Sequence, residues 1–196
     1  MKITAFETVR VKEFPNILWV KIHTDEGLVG LGETFFMAET VEAYIHEVVA
    51  PKLLGQDPLQ IDKIAKDLTG YLGFRSTGVE MRGNSAVDIG LWDLFGKATN
   101  LPIAQLLGGF SRREIRTYNT CAGNTYMREA SGQQTGNYGI GGPRRDYDDL
   151  NGFLEHADDL AEDLLSEGIS AMKIWPFDIA AEASGGQYIS GPDLRR

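Results

Sequence analysis

The sequence has a single cysteine and no long apolar run, and each absence excludes a class of protein. Cys121 has no second cysteine to pair with, so an intrachain disulfide framework is excluded and a reducing, cytoplasmic location is expected. No apolar stretch reaches the roughly 20 residues of a membrane span. The opening residues 1–11, MKITAFETVRV, alternate in polarity and lack the apolar centre of a signal peptide.

The sequence also has fewer basic than acidic residues. The 19 Lys and Arg stand against 28 Asp and Glu, which gives a formal net charge of -9 at pH 7. Nucleic acids and anionic membranes bind clustered Lys and Arg, so we expect neither as a partner. The remaining composition, 42% hydrophobic and 24% charged, is typical of a soluble globular chain that is long enough to bury a sizeable core.

The first hundred residues predict an α+β arrangement. Alternating and β-rich segments with short connections are typical of an antiparallel meander, and they lie at 2–11, 17–24 and 28–36. Apolar residues at helical spacing then predict helices at 39–50, 58–72, 84–99 and 101–109, the first ending at Pro51. Asp88 and Asp93 lie in the apolar helix 84–99, so we expect both to pair with basic side chains or backbone groups.

A second region with a different pattern follows. Residues 115–121 predict a strand, and 149–167 predict a helix with one apolar side. Gly168 stands where a helix C-terminal cap belongs, and 169–175 predict another strand. Strand, helix and strand in this order form a βαβ unit, which implies parallel strands.

Lys173 is unusual because it interrupts an apolar strand. Side chains alternate along a strand, so Lys173 and Trp175 share one face while Met172 and Ile174 share the other. We expect the preceding helix to pack on the Met172 face. Lys173 would then lie on the opposite face near the carboxyl end of its strand, which in a (β/α)₈ barrel is the catalytic mouth. The alternative is an edge lysine whose head reaches water, with Trp175 as ordinary packing.

Three motifs carry a resemblance to a known family. They are DEGLVGLGE at 25–33, SAVDIGLWDLFGKATNLPIAQLLGG at 85–109 and GISAMKIWPFD at 168–178. Together they resemble the mandelate racemase and muconate-lactonizing branch of the enolase superfamily. The resemblance implies an α+β capping domain over residues 1–110, built from a three-stranded antiparallel meander plus helices. Residues 111–196 would then begin a (β/α)₇β TIM-like barrel with its first βαβ unit.

The resemblance also implies a reaction. Members of this branch remove a proton α to a carboxylate and stabilise the enediolate on Mg²⁺, and acid-sugar dehydration is a common outcome. The branch often has Lys-x-Lys at the second barrel strand, where the first lysine contacts the substrate carboxylate and the second is a base. Lys173 matches the first lysine and is the candidate catalytic residue, whereas Trp175 replaces the second. Since indole takes no proton, we expect a dehydratase whose base comes from the opposite side of the barrel, not a two-base racemase.

Further positions are candidate substrate-binding residues. In the family, the loop between the first two cap strands closes over the substrate, and the corresponding segment 13–18, EFPNIL, offers Phe14 with Trp19 beside it. Trp19 is equally expected as a core residue. The set is completed by Trp175, by Asn119, and by Arg144 in the long loop 123–148. That loop would leave from the catalytic face, although a surface loop or a subunit contact is the alternative.

No metal ligand is assigned within these 196 residues. In the family the three acidic ligands lie on the third, fourth and fifth barrel strands, so we expect the 196-residue chain alone to be inactive. The complete protein would bind Mg²⁺ and a small carboxylate such as a sugar acid, and form a homo-oligomer. The alternatives are a racemase, epimerase or cycloisomerase of the same superfamily, or a non-catalytic fragment or assembly module.

Overall fold

A computed structural model describes residues 1–69, 78–126, 128, 140, 148–182 and 184–195. These residues form two compact units. Unit 1 is Met1–Arg113, and unit 2 contains the described residues from Glu114 onward. Each unit has its own cluster of buried apolar side chains.

Unit 1 begins with the predicted three-stranded sheet. Strands β1 (Ile3–Val11), β2 (Phe14–Thr24) and β3 (Val29–Phe35) pair antiparallel in the order β1-β2-β3, which confirms the meander. Every second side chain of β2 is fully buried against the helices: Leu18, Val20 and Ile22. The sheet therefore has one face on the core, as the alternation in the sequence indicates.

The helices of unit 1 cover that buried face. They are α1 (Ala38–Tyr44), α2 (Ala50–Leu53), α3 (Ile61–Thr69), α4 (Gly78–Thr99) and α5 (Ile103–Leu106), with a π-helical turn at Ile45–Val49 between α1 and α2. The first predicted helix was expected to end at Pro51, but the chain stays helical to Leu53. Pro51 lies in the first turn of α2, where its missing N–H leaves no α-helical bond unmade.

Helix α4 packs unusually close to β3, and glycine makes this possible. A Cβ built on Gly32 would lie 1.8 Å from the carbonyl oxygen of Ala86, and one on Gly30 would lie 2.2 Å from that of Gly90. Real side-chain atoms do not approach backbone oxygens so closely. The two glycines of the GLGE motif are therefore required by helix packing.

Side chains of α4 also bond the free edge of β3. Asp93 Oδ2 accepts a hydrogen bond from the Leu31 N–H at 2.7 Å, and Lys97 Nζ donates to the Val29 carbonyl at 2.7 Å. Asp93 and Lys97 pair with each other at 2.6 Å, which confirms the expected pairing of Asp93. Asp88 makes no ion pair with a described residue, and burial raises the pKa of its carboxyl.

The corner after β3 is strained and is held by Arg82. Phe36 and Met37 have φ angles of 66° and 59°, in the left-handed region that costs non-glycine residues about 1–2 kcal/mol each. Arg82 Nη1 donates to the Phe35 carbonyl at 2.7 Å. Its guanidinium carbon lies 5.2 Å and 5.1 Å from the ring centroids of Phe35 and Phe36. Arg82 therefore fastens α4 to the end of the sheet.

Apart from one β-bridge, the regular secondary structure in the described part of unit 2 is helical. It contains α6 (Asp149–Glu155), α7 (Ala157–Ser166), α8 (Pro176–Glu182) and a 3₁₀ turn at Asp193–Arg195. The prediction of one helix over 149–167 is wrong in continuity, because His156 leaves helical geometry with φ -145° and ψ 55°. The core of unit 2 consists of Cys121, Leu150, Phe153, Leu160 and Leu164.

Within the described ranges, no helix has both the length and the apolar character that a membrane crossing requires.

Candidate functional site

The candidate site in unit 2 is built on one parallel β-bridge. Asn119 pairs with Met172: the Asn119 N–H donates to the Ala171 carbonyl at 3.0 Å, and the Lys173 N–H donates to the Asn119 carbonyl at 2.8 Å. This confirms the parallel order of the two segments. Their predicted extent as strands over 115–121 and 169–175 is wrong, since ladder pairing is confined to this bridge among the described residues. A parallel pair is less stable per residue than an antiparallel one and is usually part of a larger sheet, whereas in the described part of unit 2 no third strand joins these two segments.

Lys173 lies on the side of the bridge that faces away from the helices. Cys121 and Met172 pack in the helix-facing apolar cluster. Lys173 is one residue further along, so its side chain points the other way and is exposed. Lys173 Nζ lies 5.8 Å from the centroid of the Tyr118 ring, which is itself 57% exposed. Sequence reasoning missed Tyr118, although its place next to Asn119 in a predicted barrel strand was a signal.

Trp175 does not share the face of Lys173, and the prediction that it does is wrong. Its indole packs against the helix-facing cluster, with its ring centroid 5.6 Å from that of Phe153, and Nε1 donates to the Thr120 carbonyl at 3.0 Å. Ile174, expected to face the helix, is instead 56% exposed. The reason is that α8 begins at Pro176, so strand alternation no longer governs the chain at Trp175. A substrate-binding role for Trp175 stays a prediction.

Asn119 holds the end of the first segment in place. Its Nδ2 donates to Asp149 Oδ2 at 2.8 Å, and its Oδ1 accepts from the Cys121 N–H at 2.6 Å. The second bond closes a turn in which Cys121 has φ 52°. Burial, with a further contribution from the Asp149 carboxylate, raises the pKa of the Cys121 thiol and keeps it neutral. A substrate-binding role for Asn119 stays a prediction, beside this structural role.

Asp148 joins the loop to α6, and it was not singled out in the sequence. As N-cap of α6, its Oδ1 accepts from the N–H groups of Leu150 and Asn151. Its Oδ2 accepts from the Asn124 N–H at 2.7 Å. An aspartate directly before an apolar helical pattern is the signal that could have identified it.

The candidate residues of unit 1 lie in the sheet. The segment 13–18 was expected to be a loop, but β2 begins at Phe14 and only residues 12 and 13 connect it to β1. Phe14 is half-buried opposite Val11 at this turn. Trp19 lies mid-strand, on the sheet face that points away from the helices. Their roles in substrate binding stay predictions, and Arg144 lies outside the described residues.

No three His, Cys, Asp or Glu side chains come together as a metal-binding group in the described part of the chain.

Comparison with known proteins identifies the family. The sequence model of the mandelate racemase/muconate lactonizing enzyme N-terminal domain matches residues 3–108. The chain belongs to the mandelate racemase/muconate lactonizing enzyme family. The antiparallel sheet and helices of unit 1 are thus the capping domain of this family, whose relatives in the enolase superfamily are TIM-barrel enzymes.

Relatives in this family include sugar-acid dehydratases. A D-galactonate dehydratase from Verminephrobacter eiseniae is 40% identical over 126 residues, which cover 63% of this chain and 32% of that protein. A mandelate racemase-subgroup enolase from Agrobacterium tumefaciens has a TM-score of 0.77 at 60% identity, covering all of this chain and 44% of that one. An enolase from Pantoea ananatis, crystallised with D-gluconate and Mg, has a TM-score of 0.56 at 35% identity, covering 61% and 30%. The chain thus spans less than half the length of these relatives.

Proposed function

We propose that the full-length protein is an acid-sugar dehydratase that removes the proton α to a carboxylate. The observation that carries this proposal is the similarity to D-galactonate dehydratase at 40% identity over 126 residues. The exposed Lys173 at the parallel bridge supports it, because an ammonium beside the substrate carboxylate opposes the negative charge that builds up as the α-proton leaves. Loss of the β-hydroxyl as water then gives an enol, which becomes a 2-keto-3-deoxy acid.

We assign to Lys173 the binding of the substrate carboxylate through Nζ. Trp175 has no basic atom in the place of a second lysine, so the base that takes the α-proton is expected elsewhere in the full-length protein. We also propose that the protein needs Mg²⁺, which would act as a Lewis acid beside the developing oxyanion. By the resemblance, we expect the metal ligands on the third to fifth barrel strands of the full-length protein. We further propose that the protein forms a homo-oligomer, lies in the cytoplasm and acts on a sugar acid.

The test is a product assay on the full-length protein. The protein is incubated with Mg²⁺ and a panel of aldonic and aldaric acids, and 2-keto-3-deoxy acid is measured. We expect one or more acids to give product, and Lys173→Met to raise KM strongly. The conservative control Lys173→Arg, which keeps the charge, should retain part of the carboxylate binding. Exchange of the α-proton with all substrate oxygens retained would contradict dehydration and favour a racemase or epimerase instead.

A further inference from the structure

Lys173 is an exposed cation of the candidate site, and its surroundings differ from those of the other lysines with defined contacts. In unit 1, four lysines each pair with a carboxylate at 2.6–2.9 Å: Lys21, Lys63, Lys66 and Lys97. Among the described residues no carboxylate pairs with Lys173, whose Nζ instead lies 5.8 Å from the centroid of the Tyr118 ring. The ammonium is therefore placed against an aromatic ring without being neutralised.

We propose that Tyr118 is a positioning residue that holds the Lys173 ammonium ready for the substrate carboxylate. This rests on the proposed function as far as the substrate is concerned. Lysine has a flexible four-carbon stem, so an unrestrained ammonium samples many positions and binding must order it. An aromatic ring within about 6 Å attracts the cation through its quadrupole and adds no countercharge. A carboxylate partner would order the lysine too, but would compete with the substrate.

Tyr118 is suited to this task because the backbone beside it is fixed. Its neighbour Asn119 makes both bonds of the parallel bridge. The Asn119 side chain is in turn bonded to Asp149 at the start of α6 and to the Cys121 N–H. The Tyr118 ring therefore extends from a backbone that the bonds of Asn119 hold in place, and it lies on the same side of the bridge as Lys173.

The contact is tested first by NMR on the 196-residue chain, without any substrate. The Lys173 Hε resonances are assigned with Lys173→Met. In the wild type we expect an upfield ring-current shift of these protons and an NOE to the Tyr118 ring. Tyr118→Leu should lose both, whereas Tyr118→Phe, which keeps the ring, should retain them. Tyr188→Leu, at a 69% exposed tyrosine of the same unit, is the matched control and should retain them. Unchanged Lys173 resonances in Tyr118→Leu would overturn the proposal.

The consequence for binding is tested in the full-length protein. Tyr118→Leu should raise KM for the acid substrate about two- to five-fold with kcat unchanged, the loss expected for an exposed cation–π contact. Tyr118→Phe should keep the wild-type KM. An unchanged KM in Tyr118→Leu, or an equal rise in Tyr118→Phe, would overturn the positioning role. A protein that dehydrates no sugar acid would contradict the proposed function alone, and the NMR result would still decide whether Tyr118 holds Lys173.

Discussion

Replacing Gly32 by alanine tests the close packing of α4 on β3. A Cβ at this position would lie 1.8 Å from the carbonyl oxygen of Ala86 and 2.9 Å from its carbon. To reach an ordinary contact of 3.4 Å the helix backbone would have to retreat by about 1.6 Å. Overpacking typically costs about 1–3 kcal/mol, and we expect the upper end because the obstacle is backbone. At about 4–8 °C for each kcal/mol, Tm of unit 1 should fall by about 10–20 °C.

The matched control is Gly27→Ala, because a Cβ there meets nothing within 4 Å. Gly27 has φ +79°, so alanine would be strained by about 1–2 kcal/mol without any clash. Urea and thermal unfolding, followed by far-UV circular dichroism, would compare the two variants. If there were no clash at position 32, alanine there would stabilise the strand relative to glycine by about 0.5–1 kcal/mol. A Gly32→Ala variant as stable as the wild type, or more stable than Gly27→Ala, would refute the packing argument.

Substitutions at three further positions test the roles of single side chains. Asp148→Ala should destabilise unit 2 by about 1–2 kcal/mol in urea unfolding, because the N-cap of α6 is lost; an unchanged midpoint would contradict this. Arg82→Ala should cost about 1–2 kcal/mol, since it removes the bond to the Phe35 carbonyl and the ring contacts, and Arg82→Lys should not restore the loss. The pKa of the Asp88 carboxyl is higher in the folded protein than in the unfolded chain, because burial disfavours its charged form. As the pH rises past the unfolded pKa, ionisation of Asp88 therefore lowers the stability of the folded protein. Asp88→Asn should therefore stabilise the protein at pH 7 but not well below the unfolded pKa, and the reverse pH dependence would show that burial is not the cause.

The sheet of unit 1 was predictable because its signals are local. Alternation in β2 reports directly which side chains face the helices, and the antiparallel connections are short. The start of β2 at Phe14 was not predictable, because proline and asparagine in 13–18 favour a turn in the sequence. Pairing with Val11 across a two-residue connection outweighs that local preference.

The candidate site of unit 2 was predictable only in outline. The exposure of Lys173 follows from alternation, but alternation fails at Trp175 because α8 starts immediately afterwards. Tyr118 was missed because its partner Lys173 is 55 residues away in the sequence, and a contact over that distance depends on parallel pairing, not on local spacing.

The most direct test of the dehydratase assignment is ¹H NMR of the full-length protein with Mg²⁺ and D-galactonate in D₂O. The acid is chosen because the relative from Verminephrobacter eiseniae is a D-galactonate dehydratase. If D-galactonate is the substrate, its α-proton signal should disappear while the C3 proton signal of a 2-keto-3-deoxy acid grows, with one deuteron at C3 because the enol takes it from D₂O as it ketonises. Another sugar acid giving this pattern would keep the dehydratase and change only the substrate. If no sugar acid loses its α-proton while Mg²⁺ is bound, the central claim of α-proton abstraction is contradicted.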